Sequence, residues 1–161
     1  MNELLQTFSV AVVTGGSSGL GKSFIRLLQT INPRLLICNL SRRKPSVENS
    51  PPGARDVAHF PCAIINVASV VAHTPTPYCA TYGASKAFLL HWSLALGEEL
   101  RGSGVRVLAV APGTTRTEFF QGSGAGAPDA IARKGMAPDA VARCALQALA
   151  AGRPSVVPGL G

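Results

Sequence analysis

The sequence predicts an α/β fold with helices on both faces of a parallel sheet, and three observations lead to that prediction. Hydrophobic residues make up 47% of the 161-residue chain and charged residues only 14%, which favours elements that are buried on both faces. Short β-branched runs alternate with longer amphipathic segments along the chain. The first run, Ser9–Thr14, ends in Gly15-Gly16, as a strand does before a tight turn at a phosphate. The length predicts one compact domain over residues 1–161.

The predicted elements follow one another in strand and helix order. After the strand Ser9–Thr14, we expect a helix over about Ser18–Thr30 and a second strand at Leu35–Leu40, which completes a βαβ unit. The apolar stripe of that helix consists of Leu20, Phe24, Leu27 and Leu28. The remaining predicted elements are a strand at Ala63–Ala68, a helix at Ala80–Arg101, a strand at Val105–Ala111, a helix at about Pro138–Ala151 and a short strand at Ser155–Val157.

Composition excludes several classes of partner. Fifteen Lys and Arg against eight Asp and Glu give a net charge of +7, which favours polyanionic partners. No run of five basic residues occurs, and six Phe, two Tyr and one Trp are too few for a base-stacking surface, so no nucleic-acid partner is predicted. The sequence contains no apolar run of membrane-spanning length and no signal peptide, which predicts a cytoplasmic protein without a membrane span.

The four cysteines are Cys38, Cys62, Cys79 and Cys144, and their wide spacing predicts reduced residues and no metal site.

The segment Thr14–Ser23, TGGSSGLGKS, satisfies two phosphate-binding patterns. Gly16, Gly21 and Lys22-Ser23 fit the loop of phosphate-cleaving NTPases, whereas the spacing of Gly15, Gly19 and Gly21 fits a dinucleotide-binding turn. An NTPase also needs a second strand that ends in a carboxylate for Mg²⁺, and the predicted strands end without Asp or Glu. The dinucleotide interpretation is therefore favoured, and its candidate residues are Gly15, Ser17, Ser18, Gly19, Leu20 and Gly21.

The residues that follow the second strand indicate which dinucleotide is bound. An acidic side chain there would accept hydrogen bonds from the ribose of NAD, but this chain has Ser41-Arg42-Arg43. A guanidinium suits the 2′-phosphate of NADP in charge and geometry, so NADP(H) is the predicted cofactor. A solvated basic turn without a ligand is the alternative.

Tyr82 and Lys86 stand four residues apart on the predicted helix and therefore share a face. An ammonium beside a phenol stabilises the phenolate and so favours proton exchange near neutral pH. Tyr78 is a weaker candidate, because the residue four positions later is Tyr82 rather than a lysine. Ser69 follows the strand Ala63–Ala68, where side chains of α/β sheets meet ligands, although a turn or cap role is the more usual one for such a serine.

These features together resemble the short-chain dehydrogenase/reductase family. The segment NVASVVAHTPTPYCATYGASKAF, the loop at 14–21 and Pro112-Gly113-Thr114-Thr115-Arg116-Thr117 occur in the family's order. The resemblance implies a Rossmann-like doubly wound parallel sheet, NADP(H) and a small-molecule carbonyl or alcohol substrate, resembling acyl chains or hydroxysteroids. It also allows a homo-oligomer.

The resemblance implies a role for each matching residue. Tyr82 would be the general acid/base, Lys86 would make its phenol more acidic and bind the nicotinamide ribose, and Ser69 would polarise the carbonyl. The residues that would border the nicotinamide are Pro112, Gly113, Thr115 and Thr117. The stretch Glu118–Lys134 looks like a substrate lid, in which Phe119 and Phe120 contact the substrate or, alternatively, pack in the core.

The sequence departs from the family between Cys62 and Ala63. A family member typically has there a helix, a strand that ends in Asn-Asn-Ala-Gly and a helix with a catalytic Asn, and Asn66 does not match that Asn. If Val57–Phe60 is a parallel strand, the two residues before Ala63 reach only about 7 Å, too little for a crossover. Either residues 42–62 form one irregular crossover, or the chain lacks one central strand and its flanking helices. In the second case, nucleotide binding without turnover is the alternative function.

Overall fold

The computed structural model of the chain describes residues 2–14, 19–40, 62–117 and 134–159. The chain divides into two compact units, one formed by residues 1–60 and 114–143 and the other by residues 61–113 and 144–161. The single domain expected from the length stays a prediction.

The first unit contains a βαβ arrangement preceded by a short helix. Its elements are α1 (Asn2–Gln6), β1 (Val10–Thr14), α2 (Gly19–Ile31) and β2 (Leu36–Leu40). The two strands are parallel, with Val10 opposite Leu36 and Thr14 opposite Leu40. The two strands and the helix α2 are confirmed, whereas α1 carries no signal that predicted it.

Helix α2 buries a face that differs slightly from the predicted stripe. Phe24 and Leu28 are buried as expected, but Ile25 is buried as well, and Leu20 and Leu27 are only half-buried. The buried face is therefore rotated from the predicted stripe, since the packing partner of a helix determines which part of a broad apolar surface it covers.

Asn32 joins the start of the chain to the turn between α2 and β2. Its side chain is buried, and its amide nitrogen donates to the carbonyl oxygens of Leu5 at 3.2 Å, Gln6 at 3.5 Å and Phe8 at 2.9 Å. Its amide oxygen accepts the backbone N–H of Arg34 at 3.1 Å. The carbonyls at the end of a helix lack intrahelical partners, so this single amide stabilises α1 and its exit.

The second unit is a three-stranded parallel sheet with helices. Its elements are β3 (Cys62–Val67), a 3₁₀ helix (Val70–His73), α3 (Ala80–Glu99), β4 (Val105–Val110) and β5 (Ser155–Val156), and α4 (Pro138–Ala150) spans the boundary between the units. The strand order is β3-β4-β5, with Cys62 opposite Val105 and Val67 opposite Val110. The predicted strands and helices are confirmed to within a residue or two at each end.

The core of this unit lies around β4. Leu108, Ala109 and Val110 are completely buried, as expected of a central parallel strand. Small side chains of β4 allow the helix to approach closely, and they form one cluster with α3 and the 3₁₀ helix: Ala68, Ala72, Leu90, Ala109 and Ala111.

A glycine ends α4 and directs the chain into β5. Gly152 has φ +70°, a conformation that side chains rarely adopt, and its N–H donates to the carbonyl of Leu149 at 3.0 Å. The Arg106 guanidinium, from β4, donates to the carbonyls of Leu149 at 3.2 Å and Ala150 at 3.4 Å. A cation at this end also suits the helix dipole.

The strands of the described residues form two separate sheets, β1-β2 and β3-β4-β5. Val10 and Val12 of β1 are 53% and 62% exposed, in contrast to the burial expected on both faces.

Replacing Asn32 by Ala tests the importance of this connection. We expect the free energy of unfolding to fall by about 1–3 kcal/mol, because buried carbonyls lose their donor. Urea unfolding followed by circular dichroism measures it. Thr30→Ala is the control, since it removes only an exposed hydroxyl that donates to the Arg26 carbonyl. Equal losses in the two variants would contradict the prediction.

Candidate active site

Ser69 lies between the end of β3 and the first residue of the 3₁₀ helix. The ladder continues past the strand, with the N–H of Ala68 donating to the Val110 carbonyl at 2.7 Å and that of Val70 to the Pro112 carbonyl at 3.1 Å. Ser69 is buried, and its Oγ accepts the Val71 N–H at 3.4 Å as the cap of the 3₁₀ helix. The cap role considered from the sequence is therefore real. Because the cap bond uses an oxygen lone pair, the hydroxyl can still donate its hydrogen.

Tyr82 and Lys86 lie one turn apart near the beginning of α3. Both are half-buried, and the Lys86 Nζ lies 5.7 Å from the centroid of the Tyr82 ring. Gly83 is buried, and a Cβ built on it would lie 3.9 Å from the carbonyl oxygen of Val71. The first turn of α3 thus packs on the segment that follows Ser69. The structure therefore brings the three predicted catalytic residues to the same end of β3.

The Lys86 ammonium donates to the carbonyl oxygen of Val67 at 2.9 Å. The N–H of Ala68 points toward β4, and the carbonyl of Val67 belongs to the same peptide group. In a trans peptide group the C=O and the N–H point in opposite directions. The Val67 carbonyl therefore points to the other edge of β3, which carries no strand among the described residues. Lys86 satisfies a carbonyl that a neighbouring strand would otherwise engage.

Partial burial lowers the pKa of Lys86 from its ordinary value of 10.5. The cause is desolvation, which penalises the charged form of the amine. An ammonium that is closer to releasing its proton is suited to a site in which protons move.

Tyr78, the competing tyrosine, points into solvent. Its side chain is fully exposed and its backbone has φ 65°, which is rare for a residue with a side chain. It has no protein surroundings that would orient its hydroxyl toward a substrate. Of the two tyrosines, Tyr82 is the one that is half-buried and has a lysine beside its ring.

Sequence analysis missed the contact between Asn66 and Ser93. The Asn66 amide donates to the Ser93 hydroxyl at 2.9 Å, and Ser93 is buried in α3. The one available signal was the spacing of seven residues from Lys86 to Ser93, which places a second polar side chain on the same helix face.

The candidate cofactor residues of the first unit meet where α2 begins. Gly19, Leu20 and Gly21 form its first turn, and Gly19 has φ +54°. A Cβ on Gly19 would lie 3.3 Å from the Cβ of Thr117, another candidate, so glycine allows this close approach. Such a helix N-terminus, with its N–H groups unpaired by the helix, suits a phosphate.

The segment that contains Thr115 is paired with residues before α4. Thr115 forms a parallel bridge with Met136, and the N–H of Met136 donates to the Thr114 carbonyl at 2.9 Å. A Cβ on Gly135 would lie 2.9 Å from that carbonyl oxygen, so only glycine fits. Pro112 and Gly113 belong to the second unit, at the end of β4.

Several candidate residues lie outside the described residues. They are Gly15, Ser17, Ser18, Ser41, Arg42 and Arg43, together with Phe119, Phe120 and nearly all of the expected lid.

Comparison with known proteins shows which family the chain is similar to. The family model of short chain dehydrogenases matches residues 57–127, which contain Ser69, Tyr82 and Lys86. A short-chain dehydrogenase from Sphingobium yanoikuyae, solved in complex with NADPH, superposes with a TM-score of 0.68 at 20% identity, over 95% of this chain and 89% of that chain. Over residues 57–127 the chain is therefore similar to the short-chain dehydrogenase/reductase family. The Rossmann-like doubly wound fold is thereby confirmed, and its few strands fit a truncated form of it.

Curated dehydrogenase/reductases match a short part of the chain. The 2,3-dihydro-2,3-dihydroxybenzoate dehydrogenase of Escherichia coli (strain K12) is 54% identical over 57 residues, which are 35% of this chain and 23% of that protein. A very-long-chain 3-oxoacyl-CoA reductase of Pyricularia oryzae is 57% identical over 44 residues, 27% of this chain and 13% of that protein. The matches thus span less than a quarter of these relatives.

No helix in the described part of the chain is both long and apolar enough to cross a membrane.

The lowered pKa of Lys86 makes the stability of the chain depend on pH. Between the lowered pKa and 10.5 the unfolded chain holds a proton that the folded chain has released, so the free energy of unfolding should rise with pH in that window and level off above it. Lys86→Met should remove this rise, as urea unfolding at a series of alkaline pH values can measure. Lys134→Met, at an exposed lysine, should retain it. A constant difference between the native chain and Lys86→Met would refute the prediction.

Proposed function

We propose that the chain is built for NADP(H)-dependent oxidoreduction, with hydride transfer between a nicotinamide and a carbonyl or alcohol. The observation that carries the proposal is the convergence of Ser69, Tyr82 and Lys86 at the carboxyl end of β3. Three side chains from two elements meet there with a proton donor, a cation and a hydroxyl donor. That set suits reduction of a carbonyl, in which the oxygen must gain a proton as the carbon gains a hydride.

Each side chain has a distinct part in the proposed reaction. Tyr82 donates its hydroxyl proton to the carbonyl oxygen in reduction and accepts it from the alcohol in oxidation. Ser69 donates a hydrogen bond to the same oxygen and stabilises the negative charge that develops on it. Lys86 keeps a positive charge beside the phenol and has further N–H donors for ribose hydroxyls. The bound nicotinamide supplies or takes up the hydride.

The choice of NADP(H) rests on residues at two places. Gly19 at the start of α2, with its positive φ and its contact to Thr117, fits the close approach of a pyrophosphate. Ser41, Arg42 and Arg43 follow β2 in the sequence, where guanidinium groups suit a 2′-phosphate. The Sphingobium yanoikuyae relative, solved with NADPH, supports the same choice.

The proposed substrate class is a small molecule with a carbonyl or hydroxyl group, acyl-chain or steroid-like. The 3-oxoacyl-CoA reductase supports acyl chains, while the dihydroxybenzoate enzyme acts on a ring. The two relatives share the type of reaction but differ in what they act on. We therefore propose the type of reaction more narrowly than the substrate. Cys62, Cys79 and Cys144 are free cysteines, which supports a cytoplasmic location.

Nucleotide binding without turnover is a second candidate function. The specific observation in its favour is the Lys86 contact with the Val67 carbonyl, at an edge that lacks a strand among the described residues. A lysine that satisfies the sheet edge is less available to a cofactor. Turnover with NADPH discriminates between the two functions.

Replacing both Arg42 and Arg43 by Ala tests the cofactor. The double variant should bind NADPH at least about tenfold more weakly, because loss of a charge-assisted contact to a phosphate costs about 1.5–3 kcal/mol. NADH binding should change little. Fluorescence titration measures both, and Arg34→Ala, at an exposed arginine, is the control. An equal loss for NADPH and NADH would exclude recognition of the 2′-phosphate.

Restoring a family-like segment in front of β3, just before Cys62, tests whether the chain lacks a strand of the family's sheet. About sixty residues would hold the crossover units. We expect the 161-residue chain to be marginally stable with little or no NADPH oxidation, and the longer chain to be more stable and active. The reason is that an unfilled strand position leaves peptide groups of the strand edge unpaired, at about 1–3 kcal/mol each.

Tyr82→Phe in the longer chain is the matched control. It should abolish NADPH oxidation and spare NADPH binding, since it removes only the proton donor. Full turnover from the 161-residue chain would contradict the role of the missing strand, and turnover of more than a few percent in Tyr82→Phe would contradict the role of Tyr82.

A further inference from the structure

The face of α3 that is turned toward the sheet contains few large apolar side chains. It consists of residues at spacings of three and four: Gly83, Lys86, Leu90, Ser93 and Gly97. A Cβ on Gly97 would lie 3.5 Å from the Cβ of Val107, so the helix approaches β4 closely. Leu90 is the one large apolar residue in this row. Leu94 of α3 also packs against the core cluster of this unit, but apolar contact is non-directional and does little to fix the position of a helix along a strand.

A chain of hydrogen bonds crosses from β3 into this face. The Asn66 Nδ2 donates to the Ser93 Oγ at 2.9 Å, and the Ser93 Oγ donates to the Leu89 carbonyl at 2.6 Å. The hydroxyl has a single hydrogen, which is given to Leu89, so its oxygen is the acceptor for Asn66. Ser93 is 1% exposed, and water cannot replace either partner. The contact is therefore directional and costly to break.

Lys86 makes the second directional contact of the same face. It precedes Ser93 by seven residues, or two helical turns, and its Nζ donates to the Val67 carbonyl. Val67 directly follows Asn66 in β3. Two polar contacts on one face of α3 therefore bind consecutive residues of one strand, three and two positions before Ser69.

We propose that Asn66 and Ser93 are positioning residues of the active site. Their hydrogen bond sets the place of α3 along β3, and so holds the Lys86 ammonium at Val67 and Tyr82 at the end of the strand that carries Ser69. A helix rises about 1.5 Å per residue, so a slip of one residue exceeds the roughly 1 Å that catalysis tolerates. The inference rests on the proposed function, because the position of Tyr82 and Lys86 matters only if they carry the reaction.

The test observes Lys86 directly in the intact chain. The sequence has four lysines, Lys22, Lys44, Lys86 and Lys134, so ¹³Cε-labelled lysine gives four NMR signals, and Lys86→Met assigns one of them. We expect the Lys86 signal to stand apart in the native chain. It should move to the position of the other lysines in Ser93→Ala and in Asn66→Ala, which break the hydrogen bond from opposite sides.

Two further variants separate positioning from general stability. Ser93→Thr keeps the hydroxyl and should keep the Lys86 signal in its native position. Ser103→Ala, after α3, removes an exposed hydroxyl that donates to the Leu100 carbonyl and should also leave the signal unchanged. If Ser93→Ala and Asn66→Ala lower the melting temperature but leave the Lys86 signal in place, the pair is only structural and the proposal is wrong.

A measurement without substitutions covers the case in which the variants fail to fold. In the native chain, urea below the unfolding transition should speed hydrogen exchange of the Asn66 side-chain amide and shift the Lys86 signal in parallel, because one movement of α3 breaks both contacts. Independent responses to urea would overturn the proposal. Neither measurement needs turnover, so failure here leaves the proposed reaction standing, and absence of turnover leaves this positioning test intact.

Discussion

The parallel ladder between β3 and β4 is the constraint on which the candidate site depends. Its register places Val67 opposite Val110, and the backbone bonds from Ala68 and Val70 extend it beyond both strands. Parallel strands end at the same edge, so the ladder brings Ser69 beside the segment that begins with Pro112. Since Leu108, Ala109 and Val110 of β4 are completely buried, this register is held by the core as well as by hydrogen bonds.

Each unit has one described strand with an exposed apolar or an otherwise unpaired polar group. Val10 and Val12 are exposed on β1, and the Val67 carbonyl at the outer edge of β3 is satisfied by an ammonium rather than by a strand. A buried or half-buried carbonyl needs a donor, and a long lysine side chain is able to reach one that the backbone leaves unpaired. The same ammonium is the cation that the proposed reaction requires. The hydrogen bond to the Val67 carbonyl and the proposed contact with the cofactor therefore compete for the N–H donors of Lys86.

Buried polar side chains that connect one element to another fix how the elements of each unit pack. The Asn32 amide donates to the Phe8 carbonyl just after α1, and the Ser93 hydroxyl in α3 accepts a hydrogen bond from the Asn66 amide. Both lie among small or apolar neighbours, where an unpaired amide or hydroxyl is expensive and the bond therefore specifies one arrangement. Glycines have the complementary role: Gly19 and Gly135 allow backbone approaches that a side chain would block.

The sequence by itself determined the alternation of strands and helices and the shared face of Tyr82 and Lys86, because periodicity and the spacing of four residues are properties of local chain geometry. Only the tertiary structure decided that α1 forms, that Lys86 binds the Val67 carbonyl, and that Asn66 binds Ser93. Those contacts join residues 19 to 27 positions apart, and a polar side chain gains its partner there only after the elements have packed.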